Sequence, residues 1–476
     1  MNKVLKGTIW SVLQQYSSYI VRFLIQIVLA RILSPTEYGV LAEVLVFVFI
    51  CETIAKAGLN TALTQKNNAD EVDFSSAFWG SMMLSGVLYL SLFFLSPIIA
   101  NFYGESIIKN VLRIYSLSFF FNAATAVVSS YALKKYNTKV SFFSSFVSAI
   151  IAGSAAIAFA LLGFGIWALT IQGLLSSIFE LVLLIILVKW HPKLCFNFKR
   201  LLSLLKFSWK VLVYSLSGVL LENLYNLSIG KMYGEEKLGF YNRGHSFPQI
   251  TIGQLRTSIS TISLQFFSYR QDDKEKMLKS VSDVTRITSM IVVPMAVGLF
   301  IVARPLIVVL LTEKWLPCVF FLQLECLFYV FVSLSSPASS AITATGRSDI
   351  TMKLELAKLA VSIGSIIAFR SFGIYFLCVA RVVISCVFSI LGFLICSKII
   401  GYKFKMMIAD VWKILLSSLL MGALVYFVSI GSAGNIRGLF IQVIVGIISY
   451  GVLIMCFMKK DIVMLKSMFK GKSKNA

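Results

Sequence analysis

The chain has 476 residues, 58% hydrophobic and 14% charged, and its mean hydropathy is +0.86. Soluble domains carry about 25% charged residues, so the composition excludes a soluble protein and predicts an all-α integral membrane protein with many spans. The net charge of +23 would hint at nucleic acid in a soluble chain, but its distribution explains it otherwise, as shown below.

A transmembrane helix needs about 20 apolar residues. Fourteen stretches qualify, at approximately 8–33, 38–65, 74–98, 107–133, 141–163, 166–188, 208–231, 240–268, 283–311, 315–345, 352–370, 374–397, 409–430 and 437–457. Met1–Lys6 runs into the first of them without a small-residue cleavage site, so that helix is expected to remain in the protein. Pro248 and Pro337 interrupt the eighth and tenth. Counted from an inside start, the termini and even-numbered loops hold 28 Lys and Arg against 10 in the odd-numbered loops. The positive-inside rule then puts both termini in the cytoplasm. The basic excess is a topology signal plus attraction to anionic lipid, and no nucleic-acid partner is implied.

Polar stripes mark four of the spans. Gln15, Tyr19, Arg22 and Gln26 follow helical steps on the first, and Glu52, Lys56 and Asn60 are spaced by four on the second. Ser215, Gly218, Glu222 and Asn226 line the seventh, and Gln249, Arg256, Ser260 and Ser263 the eighth. A charge at bilayer depth costs about 2.5–3.5 kcal/mol or more, so it faces water or a partner. The stripes predict a wet central cavity whose basic side chains Arg22, Lys56 and Arg256 favour an anionic substrate, with Gln26 and Asn60 beside them. Glu52 and Lys56 also read as a pair that neutralises itself within one helix, as do Glu355 and Lys358. Glu222 with Asn226 reads as an ion-coupling site, with Glu52 a further member, or as a polar contact between helices. Glu43 is out of phase with Glu52, and Arg381 receives no role.

Between the sixth and seventh spans, Phe196, Phe198, Leu201, Leu204, Leu205 and Phe207 alternate with basic residues. That pattern predicts an amphipathic surface helix. An internal repeat places the division there. Arg31, Ser34 and Gly39 match Lys231, Gly234 and Gly239 at an offset of 200, and Trp10 and Val12 match Trp209 and Val211 at 199. Two parallel six-helix bundles are expected, residues 1–188 and 208–400, joined by the linker 189–207. Two extra helices (401–458) and a basic cytoplasmic tail (459–476) follow. The eight cysteines form no C-x-x-C pair, and His191 and His245 are the only histidines. No metal or cofactor is expected, and the cysteines read as small apolar filler.

Several segments resemble a known family. Leu29-Ala30-Arg31, Pro35 and Tyr38-Gly39 are similar to the L-A-R-x-L-x-P-x-x-[FY]-G segment of polysaccharide exporters. Gly239, Tyr241 and Arg243 resemble their G-x-Y-x-R element. Gln271-Asp272-Asp273 resembles the loop after the eighth span, and Trp315 the tryptophan opening the tenth. The order holds over roughly residues 1–400. Leu264-Gln265 stands where the family often has F-P, which puts a kink there in doubt. The resemblance is to O-antigen and capsule repeat-unit flippases of the multidrug/oligosaccharidyl-lipid/polysaccharide exporter superfamily. It implies two bundles around a cavity alternately open to each side of the bacterial inner membrane. The implied substrate is an undecaprenyl-diphosphate-linked oligosaccharide, moved from the cytoplasmic to the outer leaflet. A polysaccharide polymerase or glycosyltransferases are the candidate protein partners. The rival within the superfamily is a multidrug antiporter, whose cationic drugs would favour acids over bases. A polytopic glycan polymerase or ligase would need a sizeable external loop, and the odd-numbered loops are short. No P-loop is present.

Overall fold

The computed structural model describes residues 19–56, 58–66, 69–135, 138–270, 273–431 and 435–457. Every regular element among them is helical. The helices are α1 (residues 19–32), α2 (Pro35–Lys56), α3 (Leu59–Gln65), α4 (Glu71–Tyr103), α5 (Ile107–Tyr115), α6 (Ser118–Lys134), α7 (Thr138–Leu161), α8 (Ile166–Val188), α9 (Phe198–Tyr233) and α10 (Glu235–Pro248). A π-helical turn (Gln249–Gly253) leads into α11 (Gln254–Ser268), followed by α12 (Lys274–Leu311), α13 (Cys318–Ala344), α14 (Ser348–Phe369), α15 (Ile374–Ile399), α16 (Phe404–Gly431) and α17 (Ile436–Phe457). The chain forms two compact units, Met1–Asn242 and Arg243–Ala476.

The expected all-helical membrane class is found. Among the described residues, ten helical stretches are long and apolar enough to cross a bilayer. The fourteen read from the sequence include four more: α1, α9, the α10–α11 run and α14. α1 is described only over residues 19–32, and the other three carry charge along their length, Glu222 on α9, Arg256 on α11 and Lys358 on α14.

In the first unit, α7 packs along α8, α6 lies against α4 and α8, and α9 packs on α2, α3 and α4. The segment expected as a separate amphipathic helix is the first part of α9, which runs unbroken for 36 residues. Before it, Trp190 is buried among Phe74, Phe78 and Tyr131, stacked on Tyr131 at 5.2 Å. The backbone N–H groups of Lys193 and Asn197 donate to Ser75 and Ser76 on α4, and Trp79 donates to the Lys193 carbonyl. Asp70 caps α4 in a box with Asp73, satisfying two amides at the helix start. Asp70 also takes the Arg200 guanidinium at 2.5 Å, which holds its carboxyl down at about 2.

One close approach depends on glycine. A Cβ on Gly39 would strike the Glu235 carbonyl, and a Cβ on Gly239 would strike the Pro35 carbonyl. These are the matching glycines of the sequence repeat, and each presses its own backbone onto the other's turn.

In the second unit, α12 is flanked by α13 and α16, α13 packs on α11 and α15, and α17 lies on α16 and α12. Asp410 on α16 accepts from Arg286 (2.6 Å) and Ser282 (2.6 Å) on α12 and from Tyr402 (2.9 Å). The last helices are thus tied to α12 by charge-assisted bonds. Pro337 sits inside α13 without ending it. Pro248, in contrast, immediately precedes the π-turn, where the Gln254 N–H reaches back to the Gln249 carbonyl. Large apolar side chains such as Phe94, Leu161 and Phe427 are left on the outside. A hydrocarbon surrounding accepts them at no cost.

Candidate functional site

In the first unit, four helices bring polar groups together. Arg22 and Gln26 come from α1, Glu52 and Lys56 from α2, Ser118 and Asn122 from α6, and Gln172 and Glu180 from α8. Gln26 donates to Gln172 at 3.0 Å. Glu52 accepts from Asn122 (2.6 Å) and Ser118 (3.3 Å) through Oε1. Its Oε2 stands 3.5 Å from Lys56 Nζ. Arg22 Nη2 is 3.8 Å from Glu180 Oε2, and Glu180 lies in the field of both Arg22 and Lys56.

The two kinds of contact differ. Glu52 is 12% exposed and held by real hydrogen bonds. Arg22 and Lys56 are 48% and 40% exposed, and their distances to the carboxylates exceed the usual 2.7–3.2 Å of a hydrogen bond. The acids therefore balance the bases at depth while leaving their donors open. Each base, one a planar guanidinium fork and the other a compact ammonium, keeps donors available to an anion.

The sequence reading needs three adjustments. Arg22, without an acid on its own helix, faces Glu180 from α8. Asn60 leaves the stripe of Glu52 and Lys56, because α2 ends at Lys56 and Gly58 takes a left-handed φ of 66° before α3 begins. Its side chain is exposed, and its Oδ1 accepts from the Thr61 N–H at 2.8 Å. On α11, the π-turn separates Gln249 from Arg256 and shifts the phase on which their shared stripe rested.

Glu222 is exposed on α9. Asn226 donates to Asn223 at 3.3 Å. The Glu52 carboxylate is committed to Ser118 and Asn122 on α6 and to Lys56.

In the second unit, Arg256 is half-buried and its Nε is buried without an acceptor. Lys358 on α14 lies in the field of Arg256 and of Glu355. Two cations thus neighbour each other, and Ser260 beside them bonds Ser340 at 3.1 Å.

Glu180, Gln172 and Glu325 escaped the sequence reading, which named Arg381 without giving it a role. A signal was available for the acids. Glu180 is the single charged residue of α8 and Glu325 the single one of α13. A lone charge inside an apolar span marks a partner on another helix even when its own helix carries no stripe.

A family model described as polysaccharide biosynthesis protein matches residues 28–320. The succinoglycan biosynthesis transport protein ExoT of Rhizobium meliloti (strain 1021) is 27% identical over 306 residues, which cover 64% of this chain and 62% of that protein. The chain thus spans under two thirds of ExoT. The teichuronic acid biosynthesis protein TuaB of Bacillus subtilis (strain 168) is 24% identical over 438 residues, 90% of this chain and 89% of TuaB. Among solved structures, the lipid II flippase MurJ in an inward closed conformation superposes with a TM-score of 0.73 at 18% identity, covering 96% of this chain and 100% of MurJ. At that identity the likeness speaks for the fold alone.

Proposed function

The chain belongs to the polysaccharide biosynthesis protein family, and from that premise we propose that it is a flippase for lipid-linked oligosaccharide repeat units. The substrate is an undecaprenyl-diphosphate-linked oligosaccharide, carried from the cytoplasmic to the outer leaflet of the bacterial inner membrane by alternating access. The protein is a transporter and not an enzyme.

One observation carries the reading. Arg22 and Lys56 sit on membrane helices beside two carboxylates, yet their donors stay half exposed at 3.8 and 3.5 Å. A purely structural pair at that depth would close to hydrogen-bond distance, because desolvation is offset only by good geometry. The arrangement suits a site that takes a phosphate and later releases it. Arg22 and Lys56 bind the diphosphate, Gln26 lies alongside, and Glu52 holds Lys56 in place. Arg256 and Lys358 form a basic patch in the second unit, assigned to anionic parts of the same substrate. Asn60 on α3 is assigned to the sugars, and Glu222 and Asn226 on α9 to ion coupling. The names of ExoT, a transport protein, and TuaB, a teichuronic acid biosynthesis protein, support the assignment. Partners are the membrane lipids and, at the step after transfer, a polysaccharide polymerase or glycosyltransferases.

The test is reconstitution in liposomes with a fluorescent polyprenyl-diphosphate oligosaccharide. Transfer to the far leaflet, absent from protein-free liposomes and lost with Arg22→Ala, is expected. Equal transfer of the polyprenol lacking the diphosphate would overturn the assignment. Both termini are placed in the cytoplasm. Reporter fusions at Gly104 and Gly234 should read outside, and at Lys193 and Lys403 inside.

A further inference from the structure

A second ionic cluster lies in the second unit and takes no part in the phosphate site. Glu325 on α13 is 3% exposed. Its Oε1 meets the Arg381 guanidinium from α15, and its Oε2 is 3.0 Å from His245 Nδ1 on α10. Arg381 also lies over the Phe328 ring at 4.4 Å, and His245 stacks on Tyr329 with centroids 6.3 Å apart.

The backbone holds this arrangement in place. A Cβ on Gly244 would come within 2.7 Å of the Cys318 carbonyl and of Phe321, so α10 is pressed onto α13 next to His245. On the far side of the π-turn, a Cβ on Gly253 would stand 3.1 Å from the Tyr329 ring. The π-turn therefore lies between two close seats on the same helix. Such turns recur at functional sites, because an extra residue in the helix can be accommodated in more than one way.

Charge counting identifies the ligand. Glu325 is the only acid of α13, and α15 carries none. The other ionisable groups around are Arg243, over the Trp315 ring at 5.6 Å, Lys358, over Phe328 at 5.8 Å, and the phenol of Tyr329. Glu355 stands on α14 with Lys358. With His245 neutral, Glu325 and Arg381 cancel. A metal cation would have to displace Arg381 from the carboxylate, among bases that repel it. The imidazole, by contrast, changes charge near physiological pH without any rearrangement of ligands.

We infer that His245, Glu325 and Arg381 form a proton-binding site that couples transport to the proton gradient. A proton from one aqueous side binds the imidazole, giving an imidazolium that pairs with Oε2 while Arg381 keeps Oε1. The added ion pair draws α10 onto α13 and leaves the cluster with a net positive charge. Loss of the proton to the other side weakens the α10–α13 contact and restores neutrality. Because α10 continues through the π-turn into α11, a shift at His245 is carried to Arg256, three turns on. Proton binding and anion binding are linked through one helix, and by reciprocity each alters the other. The direction of substrate movement rests on the flippase reading; the proton site does not.

The chain has two histidines, which makes the test direct. In the His191→Gln protein, placed in nanodiscs, the ring resonances of the single remaining histidine are followed by NMR between pH 5 and 9. They should titrate, and the titration should change when Glu325→Gln is added. In liposomes, an imposed pH gradient should accelerate transfer by wild type and His191→Gln. His245→Gln, checked for normal abundance, should still exchange substrate but lose the gradient response. An imidazole that does not titrate, or a gradient response that survives His245→Gln, would overturn the proposal. Absence of transfer by wild type with a normal titration would instead defeat the flippase reading and leave the proton site standing. If His245→Gln misfolds, the titration of the native side chain decides alone.

Discussion

Two groups of opposite charges, each pairing arginine with glutamate, behave differently in this molecule. In the first unit, Arg22 and Lys56 stand 3.8 and 3.5 Å from Glu180 and Glu52, half exposed. In the second, Glu325 is buried between Arg381 and His245, with Arg381 only 12% exposed and in direct contact. The first group keeps its basic donors available. The second is desolvated, and each member depends on the others. Looseness marks a place for something that arrives from outside. Tightness marks a place where the protein's own parts are held, and where a single proton can matter.

The largest expected effect is on the tight group. Arg381→Ala strands a buried carboxylate and should destabilise the protein by about 3–5 kcal/mol. Membrane abundance and detergent thermal stability should both fall. Unchanged abundance would mean that Glu325 is not buried in the membrane-embedded protein, and the contrast with the first unit would disappear. Next comes the loose group. Arg22→Ala should leave abundance near normal and reduce glycan export about tenfold or more, since a bond to a charged partner contributes about 1.5–3 kcal/mol. Arg22→Lys should restore export only in part, because the charge returns without the fork. Loss of the protein itself with Arg22→Ala would place Arg22 in the structural class after all.

A smaller effect is expected at Glu180. Glu180→Gln removes the acid that faces Arg22 and should change export without loss of abundance. Smallest is Asp70→Asn at the start of α4. The Arg200 guanidinium holds the Asp70 carboxyl at about 2, below its ordinary value. The stabilisation from this pair is therefore complete above about pH 4 and lost only as pH falls through about 2. Between pH 5 and 9 the thermal stability of wild type should show no dependence on this group. The substitution at neutral pH should cost little, as expected of an exposed pair.

Much of this could be read from the sequence, for identifiable reasons. Helices in lipid must satisfy their own backbone, so apolar length alone predicts them. Gln15 of the stripe on α1 lies outside the described residues, while Arg22 and Gln26 both face α8 and Glu52 pairs with Lys56 within α2, because a regular helix fixes which residues share a face. The failures came where regularity breaks. Gly58 ends the phase that had carried Asn60, and the π-turn after Pro248 ends the phase that had carried Gln249. The partners Glu180 for Arg22 and Arg381 for Glu325 lie on other helices, more than fifty residues away in the chain. Periodicity within one helix says nothing about which helix will be its neighbour. A lone charge in an apolar run was the remaining clue.

The crossed glycine contact has the form of a symmetry. Gly39 meets the backbone of Glu235, and Gly239 meets that of Pro35. Moving every number by 200 turns one contact into the other. That exchange is the defining property of an isologous interface, in which residue i of one subunit touches j of its partner and j touches i. A duplicated segment whose two copies met about a two-fold axis would give a pairing of that form. Neither glycine can be enlarged, because no larger side chain fits where two backbones touch.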